Sequence, residues 1–254
     1  MDTDMSDNDA VRDFVQSELA SRGLNSEAIP VSSYKTPDLA LPLEENRVLI
    51  EVKSREDDEQ FREIVDSPAG TARFYKTGTI ENLLRSAWHQ IRDFPERTEQ
   101  DFTIIWLVAR KPGITAFAVP AAMTTLYGIQ TMEGLTEATD SPYEKKCFFF
   151  GNSFFFRQQK LDGVVLHENN RIRLCLNPFS LRRDDFRKTA FVELFQNELE
   201  LIDPKSEEES GEAFIADCAI NRKDPNSVVR YLKRKYGLRT VVLHQFVLVN
   251  RPVG

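Results

Sequence analysis

Three side chains that could together bind a metal ion and activate water lie close in the sequence: Asp38, Glu51 and Lys53. Residues 48–53 read Val-Leu-Ile-Glu-Val-Lys, an alternation of apolar residues that is typical of a β-strand. The same period places Glu51 and Lys53 side by side on one face of the strand. Residues 38–41 predict a neighbouring strand, and the short polar segment between the two strands favours a hairpin. Antiparallel pairing would bring Asp38 alongside Glu51 and Lys53.

This combination suits the hydrolysis of phosphodiester bonds. Two adjacent carboxylates disfavour each other's ionisation, and a divalent cation reverses that effect. Mg²⁺ usually takes one or two carboxylates together with waters and phosphate oxygens, and it lowers the pKa of a bound water. Lys53 would orient that water and offset the negative charge that develops on the phosphate. The alternative is an exposed edge strand on which Glu51 and Lys53 simply face solvent.

The motif Pro37-Asp38 followed by Glu51-Val52-Lys53 resembles the signature of the PD-(D/E)xK nuclease superfamily. The order of elements is closest to the resolvase-like branch of that superfamily. In the family, a helix before the hairpin often carries a Glu and a helix after the lysine strand often carries a Gln. Glu18 and Gln90 occupy those places in this chain, and the resemblance covers residues 9–125.

The resemblance implies a restriction-endonuclease-like core with four catalytic residues and a site for one or two metal ions. The catalytic residues would be Asp38, Glu51, Lys53 and Gln90. The metal ion, Mg²⁺ or Mn²⁺, would be held by Glu18, Asp38, Glu51 and the carbonyl oxygen of Val52. Gln90 would position the attacking water or the phosphate. Periodicity alone fits a solvent-facing Glu18 equally well.

Composition limits the class of protein. The chain has 254 residues, 41% hydrophobic and 29% charged, with a net charge of −7. This charge argues against a protein that coats nucleic acid, which would be basic, although a nuclease needs only a local basic face. The cysteines are widely spaced and odd in number, which disfavours a zinc site and a disulfide framework. With an acidic N-terminus and no apolar run of about 18–20 residues, we expect a cytoplasmic protein.

The pattern of elements predicts a mixed α/β (α+β) fold with a central β-sheet flanked by helices. Residues 1–130 would form the nuclease-like core. Residues 131–254 would form a β-rich extension that ends in a basic helix and a strand, either separate from the core or packed with it as one domain. Within the extension, residues 161–177 predict a hairpin that turns at Glu168-Asn169-Asn170. The polar residues 203–211 predict a mobile linker.

Two further segments have alternative interpretations. Residues 146–156 are rich in Phe, which indicates a buried core or the interface of a homo-oligomer, whereas stacking on unpaired bases is the alternative. Basic residues then collect in one C-terminal helix: Arg230, Lys233, Arg234 and Lys235. They are candidates to contact nucleic-acid phosphates, although a solvated helix face is the alternative.

Two functions remain after this reasoning. The first is a hydrolase, a Mg²⁺-dependent endonuclease that acts on DNA rather than RNA in phage defence, restriction or repair. The second is a catalytically inactive protein that keeps the nuclease-like fold and binds nucleic acid or serves as a scaffold. The presence of Asp38, Glu51 and Lys53 together favours the nuclease, because a scaffold has no use for all three.

Overall fold

The computed structural model describes residues 3–56, 78–110, 118–137 and 142–243. These ranges contain seven α-helices: α1 (Thr3–Ser21), α2 (Gly78–Arg92), α3 (Ala118–Tyr127), α4 (Arg183–Phe186), α5 (Ala190–Asn197), α6 (Pro204–Glu209) and α7 (Pro225–Tyr236). They also contain eleven strands: β1 (Glu27–Ala28), β2 (Leu39–Pro42), β3 (Arg47–Glu56), β4 (Phe102–Arg110), β5 (Gln130–Leu135), β6 (Pro142–Phe148), β7 (Gly163–Glu168), β8 (Arg171–Leu176), β9 (Glu200–Ile202), β10 (Ala213–Ile215) and β11 (Val242–Leu243). In the same ranges, no helix is both long and apolar enough to cross a membrane.

Strand β3 belongs to a seven-stranded sheet in the order β1-β2-β3-β4-β7-β8-β9. It pairs antiparallel with β2 and parallel with β4, and β4 pairs parallel with β7. The almost uninterrupted apolar sequence of β4 fits this interior position, because a strand buried on both faces needs no polar face. The predicted mixed α/β class, with helices flanking a mixed sheet, is therefore confirmed.

The alternation of β3 determines which helix each of its faces meets. Its apolar even-numbered residues pack in one cluster with residues of α1 and α5: Val48, Ile50 and Val52. Glu51 and Lys53 point to the opposite face, because successive side chains of a strand alternate. On that face Lys53 reaches Gln90 of α2. Helices α1 and α2 therefore cover opposite faces of β3.

Strands β7 and β8 form the predicted hairpin. They pair antiparallel, with Glu168 opposite Arg171 at the turn. Asn169 has φ 51°, a left-handed conformation that Asn tolerates better than most residues. The turn residues 168–170 between two apolar segments were enough to predict this hairpin.

The second sheet has the order β10-β6-β5-β11. Residues of α7, Val228 and Leu232, pack in an apolar cluster with Met132 and Phe214 of this sheet. The Phe-rich segment 146–156 contributes buried rings that surround Tyr127: Phe148, Phe149 and Phe155. The interpretation of this segment as core is confirmed for these rings.

The described residues divide into two compact units. The first unit contains residues 3–56, 78–110, 118–119 and 158–202. The second unit contains residues 120–137, 142–157 and 203–243. This division differs from the predicted boundary at residue 130, because β7, β8 and β9 extend the sheet that contains β3.

The predicted mobile linker at 203–211 is wrong. Residues 204–209 form α6, whose first turn is capped by Asp203, and the Asp203 carboxylate accepts a hydrogen bond from the Lys205 N–H at 3.2 Å. Pro204 at the first helical position adds a second start signal, since its fixed φ suits a helix N-terminus. Polar composition concealed these local signals.

Candidate active site

Asp38 lies directly before β2, where the hairpin brings it beside β3. Leu39 pairs with Ile50, and the Asp38 N–H donates to the Ile50 carbonyl at 3.1 Å. The Asp38 Oδ2 atom accepts a hydrogen bond from the Val52 N–H at 2.8 Å. This bond fixes one carboxylate oxygen of Asp38 against the backbone that carries Glu51.

Glu51 is a fully buried carboxyl group in the middle of β3. Its exposed fraction is 0%, and neither carboxylate oxygen has a hydrogen bond of good geometry within the described part of the chain. Burial, and next the negative charge of Asp38, raise the pKa of Glu51 from 4.5 to about 8, although the Lys53 charge opposes the shift. Burial also raises the pKa of Asp38, against the lowering effect of the Val52 N–H and Lys53. The site therefore favours a bound cation or a proton.

Lys53 is held between Glu51 and α2. Its Nζ atom lies 2.5 Å from Glu51 Oε1, and it donates a hydrogen bond of 2.8 Å to Gln90 Oε1. The Lys53 side chain is 23% exposed, so its ammonium group can still reach solvent. An ammonium group has three donors; Gln90 accepts one of them, and Glu51 contacts the ammonium group as an ion pair. Lys53 therefore keeps a donor for a water or a phosphate oxygen.

These contacts join four predicted residues in one group, the carboxylate–lysine cluster: Asp38, Glu51, Lys53 and Gln90.

We compared the chain with protein-family models, with curated proteins and with solved structures. None of them matches.

The structure does not bring Glu18 into this cluster. Glu18 Oε1 accepts hydrogen bonds from Nε and Nη2 of Arg22, at 2.9 and 2.6 Å. Glu18 belongs to α1, which covers the face of β3 opposite to that of Glu51. Across the described ranges, no three His, Cys, Asp or Glu side chains are placed to hold one metal ion. A three-carboxylate site that includes Glu18 is thus not formed in this structure.

Helix α1 instead places Asp9 and Arg12 near Asp38, two residues that the sequence did not single out. Burial is the main influence on the pKa of Asp38, but the Arg12 charge lowers it and the Asp9 charge raises it. Arg12 Nη1 pairs with Asp9 Oδ1 at 2.9 Å. An opposite-charge pair three residues apart is common on solvated helices, so spacing alone carried no signal.

Asp38 and Glu51 fit a magnesium site with two protein carboxylates. Glu51 is buried and Asp38 is half-buried; carboxylate oxygens are hard ligands, and those of Glu51 lack hydrogen bonds in the described structure. Mg²⁺ commonly takes one or two carboxylates and fills its remaining positions with waters or phosphate oxygens. The carbonyl of Val52 remains a predicted ligand; the Val52 N–H is already bonded to Asp38.

The basic helix α7 is present, but its four cations are in different environments. Lys235 Nζ lies 2.6 Å from Glu208 Oε1 and 2.9 Å from Asp217 Oδ1, and its side chain is 24% exposed. Burial lowers the pKa of Lys235, but its hydrogen bonds to Asp217 and Glu208 outweigh that effect and raise the pKa. Lys235 therefore holds α7 in place and is poorly available to a phosphate.

Of the other three cations of α7, Arg230 and Arg234 are exposed and Lys233 is half-buried. Arg230 is 68% exposed, and its Nη2 donates to Ser227 Oγ at 2.7 Å. Lys233 and Arg234 have no ion pair within the residues that can be described. Arg230, Lys233 and Arg234 thus form a surface on the second unit, here called the α7 basic surface.

Proposed function

We propose that the protein is a metal-dependent nuclease that hydrolyses phosphodiester bonds, in DNA rather than RNA. One observation carries the proposal: the buried Glu51 carboxyl group lies beside Asp38, and Lys53 is held next to it by Gln90. This arrangement would supply carboxylate oxygens as ligands for a divalent metal ion. It would also place the Lys53 ammonium group beside that ion.

Stability alone does not account for this arrangement. A buried carboxylate costs several kcal/mol unless it is paired and hydrogen-bonded. The Lys53 ammonium group can balance the negative charge of one carboxylate. Two carboxyl groups converge on this site, however, and burial raises the pKa of each. A divalent cation would relieve the repulsion that one ammonium group leaves. The cost of burial supports a functional role for the pair.

In the proposed mechanism, Asp38 and Glu51 would hold Mg²⁺ or Mn²⁺. Such an ion polarises the scissile phosphate and lowers the pKa of a bound water. The protein contributes position: the Val52 N–H fixes Asp38, and β3 fixes the spacing of Glu51 and Lys53. Glu18 has no part in this proposal because its carboxylate is paired with Arg22 instead.

Lys53 would act directly on the reacting groups. Gln90 Oε1 accepts one of its N–H bonds and so directs the ammonium group, leaving a donor for the attacking water or a phosphate oxygen. That donor would orient the water and offset the charge that builds up on the phosphate in the transition state. Gln90 then acts through Lys53 as a positioning residue.

The first test is a cleavage assay with a matched variant of the metal site. We expect wild type to cleave DNA in Mg²⁺ and not in EDTA, and we expect Asp38→Asn to lose at least about two orders of magnitude in rate. Single- and double-stranded DNA and RNA are incubated with each protein, and calorimetry measures Mg²⁺ binding in parallel. Equal Mg²⁺ affinity in the two proteins would refute the proposed ligands.

The α7 basic surface is proposed to contact phosphates. Alanine at Arg230, Lys233 and Arg234 should weaken binding to all DNA sequences alike. Each lost contact should reduce the slope of log affinity against log salt by about 0.7–0.9. Fluorescence anisotropy over a salt series measures that slope, with Lys188→Ala, an exposed lysine of the first unit, as the control. An unchanged slope in the triple variant would assign these residues to an ordinary solvated helix face.

A further inference from the structure

A small cavity of about 210 Å³ lies in the first unit, next to the start of β4. Its wall includes three cations: Arg97, Lys160 and Arg182. Three acidic residues also line it: Glu99, Asp101 and Asp162. At about 30 Å³ for each water, the cavity has room for about seven waters. That space suits a small ligand or the end of a chain, but not a base pair.

Arg97 is the cation of this wall with a buried donor that lacks a partner in the described structure. Within the described ranges it has no ion pair, and its buried Nε atom has no hydrogen bond. Its guanidinium group lies over the Trp88 ring, 5.6 Å from the centroid. Burial lowers the pKa of Arg97, while the charges of Asp162, Asp101 and Glu99 raise it. A desolvated guanidinium group with free donors favours an anion in the adjacent space.

The acidic residues of the wall are already engaged or solvated. Asp101 pairs with Arg47 at 2.9 Å and accepts from the Thr98 N–H at 2.7 Å. Glu99 is exposed, where solvent and salt weaken its charge. A cationic ligand would therefore find few free carboxylate oxygens in this cavity.

Asp162 is the most deeply buried of these acids, with 4% exposed. Its Oδ2 accepts from the Thr103 N–H at 2.8 Å, and its Oδ1 accepts from the Ser180 hydroxyl at 2.5 Å. These bonds give Asp162 a structural role at the start of β4. Its oxygens are turned to the protein, so they compete little for a ligand.

The other two cations of the wall, like Arg97, pair with no carboxylate in the described part of the chain. Lys160 is exposed and has no ion pair among the residues described. Arg182 lies over the Phe102 ring at 4.1 Å and donates one N–H to the Glu99 carbonyl at 2.9 Å, which leaves further donors of the guanidinium group. Planar guanidinium groups match the paired oxygens of phosphate.

We propose that this cavity binds a phosphate group, carried either by a small phosphate ester or by the end of a nucleic-acid strand. The site is separate from the carboxylate–lysine cluster. Asp101 precedes Leu107, the register partner of Lys53, by six residues, which is about 20 Å along β4. The bound phosphate is therefore not the one that is hydrolysed, and the proposal does not depend on nuclease activity.

Binding is tested with inorganic phosphate, a nucleoside 5′-monophosphate, and one oligonucleotide with and without a 5′-phosphate. Calorimetry in EDTA compares wild type with Arg97→Gln and Lys160→Glu. Arg171→Ala is the control, since Arg171 is 69% exposed on β8 outside the cavity wall. We expect phosphate affinity to fall about ten- to a hundredfold in both cavity variants, because each loses a charge-assisted contact.

The arms identify the source of the phosphate. If the 5′-phosphorylated oligonucleotide binds more tightly than its unphosphorylated form, and Lys160→Glu removes this difference, the end of a nucleic-acid strand carries the phosphate. If inorganic phosphate and the nucleoside 5′-monophosphate bind with equal affinity, and Lys160→Glu weakens both, a small phosphate ester is the ligand. Lys160 is exposed, so its variant keeps the test valid if Arg97→Gln fails to fold. No phosphate binding by wild type, or equal binding by wild type and Lys160→Glu, would overturn the proposal.

Discussion

Lys53→Ala is expected to abolish metal-dependent cleavage and to leave Mg²⁺ and DNA binding close to those of wild type. In the proposed mechanism Lys53 ligates no metal, and its contacts to Glu51 and Gln90 would direct the ammonium group at the reacting phosphate. Groups that stabilise developing charge typically contribute about two to three orders of magnitude in rate. Initial rates of DNA cleavage in Mg²⁺, with calorimetry for metal binding, measure the two effects separately.

Two further variants define what Lys53 does. Gln90→Ala should cause a smaller loss of rate, because Glu51 still holds the Lys53 ammonium group after the Gln90 contact is removed. Lys188→Ala removes a lysine that is 77% exposed on the same unit and should retain full activity. Undiminished metal-dependent cleavage by Lys53→Ala would assign the activity to another site or to a contaminant.

Glu51→Gln is expected to stabilise the metal-free protein at alkaline pH. The pKa of Glu51 is about 8 in the folded protein, against an ordinary value of 4.5, mainly because the group is buried. A raised folded pKa adds stability that is complete below pH 4.5 and is lost as the pH rises through about 8. The loss should reach about 5 kcal/mol at pH 9, because the two pKa values differ by about 3.5 and each pKa unit corresponds to about 1.4 kcal/mol.

Urea unfolding in EDTA at pH 5, 7 and 9 measures this dependence. Glutamine is uncharged throughout, so Glu51→Gln should lose less stability than wild type between pH 5 and 9. Glu198→Gln is the matched control, because Glu198 is 60% exposed and should leave the dependence unchanged. Added Mg²⁺ should stabilise wild type at pH 8 but not Glu51→Gln. A parallel dependence in Glu51→Gln and wild type would contradict the proposed burial of a charged Glu51.

The sequence by itself determined the local geometry of the candidate site. A strand has a period of two, so the spacing of Glu51 and Lys53 places them on one face whatever surrounds them. The short hairpin likewise placed Asp38 beside β3, and the Asn-rich turn defined the β7–β8 hairpin. In each case the deciding interactions lie within about fifteen residues of the chain, where backbone geometry limits the choices.

Only the tertiary structure decided the relations between distant segments. Glu18 fits a helix stripe, but the side of the sheet that α1 covers depends on packing of the whole core. Lys235 has the spacing of a solvated cation, yet it is paired because Glu208 and Asp217 approach from elsewhere in the second unit. Such pairings are set by topology and are not encoded in local periodicity.

The division of the chain shows the same limit. The sequence predicted a boundary at residue 130, whereas β7 pairs with β4 and so joins residues far apart in sequence to the first sheet. Strand pairing depends on which edges are available after the chain has folded back. The sequence therefore determined the β2–β3 and β7–β8 hairpins and the placement of Asp38, Glu51 and Lys53 beside one another. The tertiary structure alone decided which helix meets them, because long-range packing selects among faces that local sequence leaves equivalent.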